Sequence, residues 1–339
     1  MKNRFLLSFS ILYFAFTLSA QDIHFTQHYN TPQAVSPGLT GIFNGDQRFI
    51  GAYRGQWYSA DAPFTTFHAS FDQKYYNRKL KKAFMGFGGG ITYDRAGDSR
   101  LALAQLNLSG SYTYLIDAEN LITGGLTIGG GQRSFDYGGL LWAAQHNGDQ
   151  VNPSDPTGES LNDAGYIYPD FGLGINYRAQ KLNTRSHLDL GASIFHLHQP
   201  NQSFSDQGES PLKPRASFYL NQVLETTETF DLYWSGLAQL QDKYFEGVVG
   251  AGGRWHLNQA RGKELAVQLG AAWRLNEISD AVILATEVHY QYWRLGFSYD
   301  FNISEYRVAS NRYGGPELTL RHIIKFVKPV PVFRICPII

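Results

Sequence analysis

His196 and His198 stand two residues apart in "FHLHQ", a spacing that sets two imidazoles on one face of an extended chain, as a metal site would require. No third ligand accompanies them, so the pair does not define a metal centre. Serines, histidines and acids are plentiful, yet no nucleophile elbow or other local catalytic signature frames them. The glycine triplets Gly88–Gly90 and Gly129–Gly131 lie in strand-like stretches with no helix following. They are not phosphate cradles and read as places where backbones bend or pack closely. Cys336 is the single cysteine, so no internal disulfide forms; it reads as an incidental tail residue or a contact with a partner. The chain therefore presents no catalytic, cofactor-binding or metal-ligating set, and a non-enzymatic role is expected.

The chemistry that does recur is that of paired ions on one face of a strand. In "DQRFIGAYRGQWY" the odd positions are Gln47, Phe49, Gly51, Tyr53, Gly55 and Trp57, and the even positions Arg48, Ile50, Ala52, Arg54, Gln56 and Tyr58. Successive side chains of a strand point to opposite faces. One face is aromatic and small; the other carries two guanidiniums. The same alternation sets Phe67, Ala69 and Phe71 against His68, Ser70 and Asp72. It also sets Trp293, Leu295, Phe297 and Phe301 against Arg294, Ser298 and Asp300.

These residues need long strands to carry them. Fourteen alternating stretches are expected, at about 45–58, 64–74, 83–94, 101–114, 120–133, 167–178, 186–195, 213–223, 230–241, 244–256, 263–275, 281–290, 292–301 and 316–326, most near the 9–11 residues of a tilted membrane-crossing strand. An even number suits an up-and-down antiparallel transmembrane β-barrel whose two ends share one side. Aromatic residues make up 15% of the chain, and rings gather near strand ends (Tyr112, Tyr114, Trp255, Trp273, Tyr290, Trp293), as interfacial girdles would. The connections alternate in length: those at 134–166, 196–212 and 302–315 are long and the intervening ones mostly short, the asymmetry of external loops and periplasmic turns.

On this reading Phe49, Tyr53 and Trp57 face lipid, and Arg48, Arg54, Gln56, Asp72, Arg294 and Asp300 form a lumen network. Arg178, Glu246, Arg254, Glu264, Arg274, Glu287, Arg321 and Lys325 fall on the same inner face. Both signs occur in similar numbers, which suits a self-satisfying ion-pair network better than a selectivity filter. Formal net charge is zero, and nothing in the balance points to nucleic acid.

The flanks complete the plan. Lys2 and Arg4, the apolar run Phe5 to Leu18 and Ser19-Ala20 read as a signal peptide over 1–20, so that the chain is exported and its expected place is the outer membrane. Residues 21–43 hold Pro32 and Pro37 and do not alternate; they are expected to line or plug the barrel mouth. The barrel itself is assigned to 44–326, and 327–339 to a periplasmic tail. Two places could dock a partner: the basic inward turn with Lys79, Lys81 and Lys82, and the proline-rich tail with Phe333 and Cys336.

Four segments, "QDIHFTQHYNTP", "SPGLTGIFNGDQRFIGAYRGQW", "LGFSYDFNIS" and "YGGPELTL", together resemble the PorP/SprF family of outer-membrane proteins of the Bacteroidota type IX secretion system. Ser36-Pro37-Gly38 departs from the family's frequent Asn-Pro-Ala but keeps a proline turn. The resemblance implies a barrel in contact with outer-membrane lipid that serves protein secretion, surface anchoring or gliding. Its implied partners are a large secreted, adhesin-like protein with a C-terminal sorting domain, periplasmic type IX machinery proteins, or both. The alternative is a passive channel for small solutes.

Overall fold

A computed structural model describes residues 22–56, 63–77, 79–97, 100–136, 140, 142–146, 150–158, 165–204, 209–276, 281–303 and 313–326. Their fourteen strands are β1 (Gln47–Gln56), β2 (Phe64–Tyr75), β3 (Ala83–Ala96), β4 (Leu101–Leu115), β5 (Asn120–Ser134), β6 (Gly165–Gln180) and β7 (His187–Phe195), then β8 (Arg215–Thr227), β9 (Phe230–Gln241), β10 (Tyr244–Asn258), β11 (Leu265–Leu275), β12 (Ala281–Tyr290), β13 (Trp293–Asn302) and β14 (Tyr313–Ile324). Each pairs antiparallel with its sequence neighbours, and β1 closes on β14 from Gln47↔Ile324 to Arg54↔Glu317. Closure removes the two free sheet edges, so backbone groups within the ladders find partners without water, while the long-loop end of β6 runs past its neighbour β7. The strand ends fall within four residues of those expected from alternation.

The outer surface is greasy on every side: Phe67, Leu106, Leu108, Ile128, Ile175, Val249, Leu284, Leu295 and Leu320 are all exposed. A continuous apolar belt of this kind has no place in water, where monomers rarely expose more than a few hundred Å² in one patch. It is the face a bilayer covers. Rings mark both margins, with Tyr75, Tyr114, Trp255 and Trp293 near the short-turn rim and Tyr93 and Trp273 near the long-loop rim. No described helix is long and apolar enough to cross a membrane.

Inside the wall lies a second, non-strand element. Residues 22–46 carry a one-turn helix α1 (Pro32–Val35) between short 3-10 turns at His28–Asn30 and Pro37–Leu39. Pro32 and Pro37 open their turns at the first position, where a missing N–H costs nothing. The Ser36 hydroxyl accepts from the Gly38 N–H at 3.1 Å and caps the second 3-10 turn. Thr26, Gln27, His28, Asn30, Thr31, Ser36 and Thr40 are almost wholly buried. The segment is a plug. Its apolar residues Val35, Leu39 and Ile42 meet Phe84, Leu121, Tyr219 and Leu237 of the inner wall, which makes a small core within the lumen.

Candidate functional site

A plug without strands or long helices brings its own backbone polar groups into a water-poor lumen, and each must find a partner. The wall's ionic side chains supply them. Asp72 on β2 takes Nε and Nη2 of Arg48 on β1 at 2.8 and 2.7 Å, and its second oxygen also accepts the Gly41 N–H at 2.7 Å. Arg48 donates in turn to the Leu39 carbonyl at 3.2 Å. A bidentate pair of this geometry is both strong and directional, and here it fixes the plug's exit into β1.

The second clamp lies nearer the long-loop rim. Glu317 on β14 accepts the backbone N–H groups of Thr26 and Gln27, one per oxygen, both at 2.8 Å. Asp300 on β13 binds Arg54 at 3.0 Å and also takes Arg274 of β11, while Arg54 donates to the His24 carbonyl at 2.9 Å. Gln27 adds a bond to Ser298 at 3.1 Å, and Asn30 one to Glu287 at 2.8 Å.

The third clamp holds the start of the segment against the opposite wall. Asp22 meets Arg215 of β8 at 2.7 Å and His196, just past β7, at 2.9 Å; His196 also meets Asp170 of β6 at 3.0 Å. Burial opposes the charged imidazolium, but the two carboxylates raise His196 to about 9. Burial also works against ionised Asp22, yet Arg215 and His196 hold it well below the usual carboxylate range. Arg215 donates further to the Ala34 carbonyl at 3.0 Å. The plug thus bridges β1, β13 and β14 on one side to β6, β7 and β8 on the other, across the lumen.

Wall glycines make room for it. A Cβ at Gly125 of β5 would lie 2.3 Å from the Pro37 carbonyl oxygen, and one at Gly174 of β6 2.3 Å from Ser36 Oγ. Neither contact is tolerable with the plug in place.

Of the residues singled out by alternation, Arg48, Arg54, Asp72 and Asp300 come together as clamps, as above. Arg294 faces the lumen and approaches Glu287 at 3.5 Å, and Gln56 is half-buried at the long-loop end of β1. Two inner-face assignments are corrected. Glu264 is exposed in the turn before β11, and Lys325 is exposed beyond the end of β14, because both strands are shorter at that rim than the alternation suggests. Lys79, Lys81 and Lys82 are exposed at the short-turn rim. Trp57, Phe333 and Cys336 lie outside the described residues. His196 and His198 part company: the first is in the Asp22 clamp, the second is exposed against Phe171. Among the described residues no group of three His, Cys, Asp or Glu could hold a metal ion. Sequence reasoning missed Glu317, Arg215, Asp22 and Asp170; Glu317 was within reach, since it alternates with Leu318 and Leu320 on β14.

Residues 17–321 match the family described as "Type IX secretion system membrane protein PorP/SprF". Comparison with curated proteins gives no sequence match. Among solved structures, a Pseudomonas aeruginosa FadL homologue has a TM-score of 0.51 at 10% identity, with 84% of this chain and 91% of that chain covered. The Ralstonia pickettii toluene transporter TbuX has a TM-score of 0.50 at 11% identity, with 88% and 94% covered. At these identities the likeness is one of fold: an outer-membrane β-barrel.

Proposed function

Because this chain belongs to the PorP/SprF family of type IX secretion system membrane proteins, we propose that it is a closed barrel that works through its rims. It anchors or hands on a large secreted, adhesin-like protein, in some settings for gliding, and its short-turn rim faces the periplasm. The leader at 1–20 directs export. The observation that carries this reading is the plug. A passive porin keeps a wet path, whereas residues 22–46 cross this lumen and are clamped at both walls by ion pairs that double as backbone partners. With the long-loop half of the lumen filled, the surfaces left for work are the two rims, the space beneath the plug at the short-turn end and the lipid-facing belt.

Deletion of the gene, followed by quantitative comparison of surface and secreted proteins, tests the role. Loss of at least one large secreted protein from the cell surface, restored by complementation, is the expected result. An unchanged complement of secreted and surface proteins would sink it.

A further inference from the structure

Below the plug, the short-turn half of the lumen is an open bowl of about 980 Å³. That is the upper end of the size range for dedicated ligand sites. Its roof is the plug's apolar side, Val35, Leu39 and Ile42, and its rim includes Lys81 and Lys181. Of the forty residues that line it, nine are Lys or Arg and one, Asp189, is acidic. The even balance of signs over the whole inner face hides this local excess.

Several of these cations are matched by carboxylates: Arg48 by Asp72, Arg178 by Asp189, Arg294 by Glu287. Lys81, Lys181 and Arg321 have no carboxylate within ion-pair distance among the described residues. Arg321 stands directly across from Arg294 in the β13–β14 register. Like charges in that position weaken a strand pair, and the fold retains them facing a cavity. A bound anion turns that repulsion into attraction. The cations sit on β1, β2, β6, β10, β13 and β14 and on two turns, spread around the ring with no common focus. A single phosphate reaches only a few of them; an extended chain with spaced carboxylates reaches many and can lay apolar side chains on the roof.

We propose that the bowl is a receptor for an acidic polypeptide segment, inserted from the short-turn side and belonging to a partner protein. This deepens the reading of the barrel as a partner-binding platform and rests on it for the segment's source. The chain's own tail, 327–339, leaves β14 at this rim but carries Lys328 and Arg334 and no acidic side chain. Its charge is wrong for the bowl.

The test uses the full-length barrel in neutral detergent and a fluorescent peptide alternating Glu with Phe, against its Gln and Lys counterparts, read by anisotropy. The Glu peptide should bind, weaken steeply with added salt as exposed charges do, and exceed the Gln peptide by about tenfold or more. The triple variant Lys81→Gln, Lys181→Gln, Arg321→Gln should lose about as much, with heat-modifiable gel mobility as the check on folding. Arg321→Lys should keep most of the binding, and Lys213→Gln with Lys243→Gln, at the other rim, all of it. Equal binding of Glu and Gln peptides overturns the proposal. Full displacement of the Glu peptide by inorganic phosphate at matched ionic strength also overturns it, in favour of a small-anion site. Neither failure touches the closed-barrel reading, which is tested by deletion and by conductance.

Discussion

Asp72 illustrates what the buried charges of this lumen accomplish. Its carboxylate neutralises Arg48 and holds the Gly41 N–H in the same stroke, so one side chain serves wall and plug together. Asp72→Ala leaves a buried guanidinium uncompensated and should cost about 3–5 kcal/mol, measured by urea unfolding of the reconstituted barrel. Removing Arg48 as well should recover part of that loss, because no lone charge remains. His196 gives a pH signature. Its pKa is raised on folding, so its contribution is full below about 6.5 and disappears as pH rises through about 9. Asp22 is shifted downward, so its share persists at alkaline pH and fades only in acid. Hydrogen exchange of residues 22–28 should therefore accelerate between pH 6 and 10 by more than the intrinsic chemistry, and His196→Gln should abolish the excess. An excess that survives the substitution would remove His196 from the clamp.

At the scale of elements, plug and wall are complementary by design of both. Gly125→Val places carbon where the Pro37 carbonyl lies; overpacking of this kind costs about 1–3 kcal/mol, which a closed barrel survives. The expected outcome is a folded barrel, judged by gel mobility, whose plug is displaced and which passes ionic current. A folded Gly125→Val barrel that stays silent would show the plug tolerates the collision elsewhere. The strands were legible because a two-residue period needs only local sequence, and alternation from Phe49 to Arg54 already separates lipid from lumen. Where the plug docks was not legible. Its path has no period, and its anchors lie far off in sequence: Thr26 and Gln27 on Glu317, Asn30 on Glu287, Asp22 on Arg215. The lumen charges could be read one at a time, but their pairings depend on barrel closure.

Taken whole, the molecule is a greasy cylinder with a filled upper lumen and a basic, open bowl at the short-turn end. That division suits a protein that receives a partner and lets no solute through. Single-channel recording of the intact purified chain in a planar bilayer tests this most directly. The account predicts no steady current at moderate voltage, and a steady current once residues 22–46 are removed or displaced. A stable open conductance from the intact chain would contradict it.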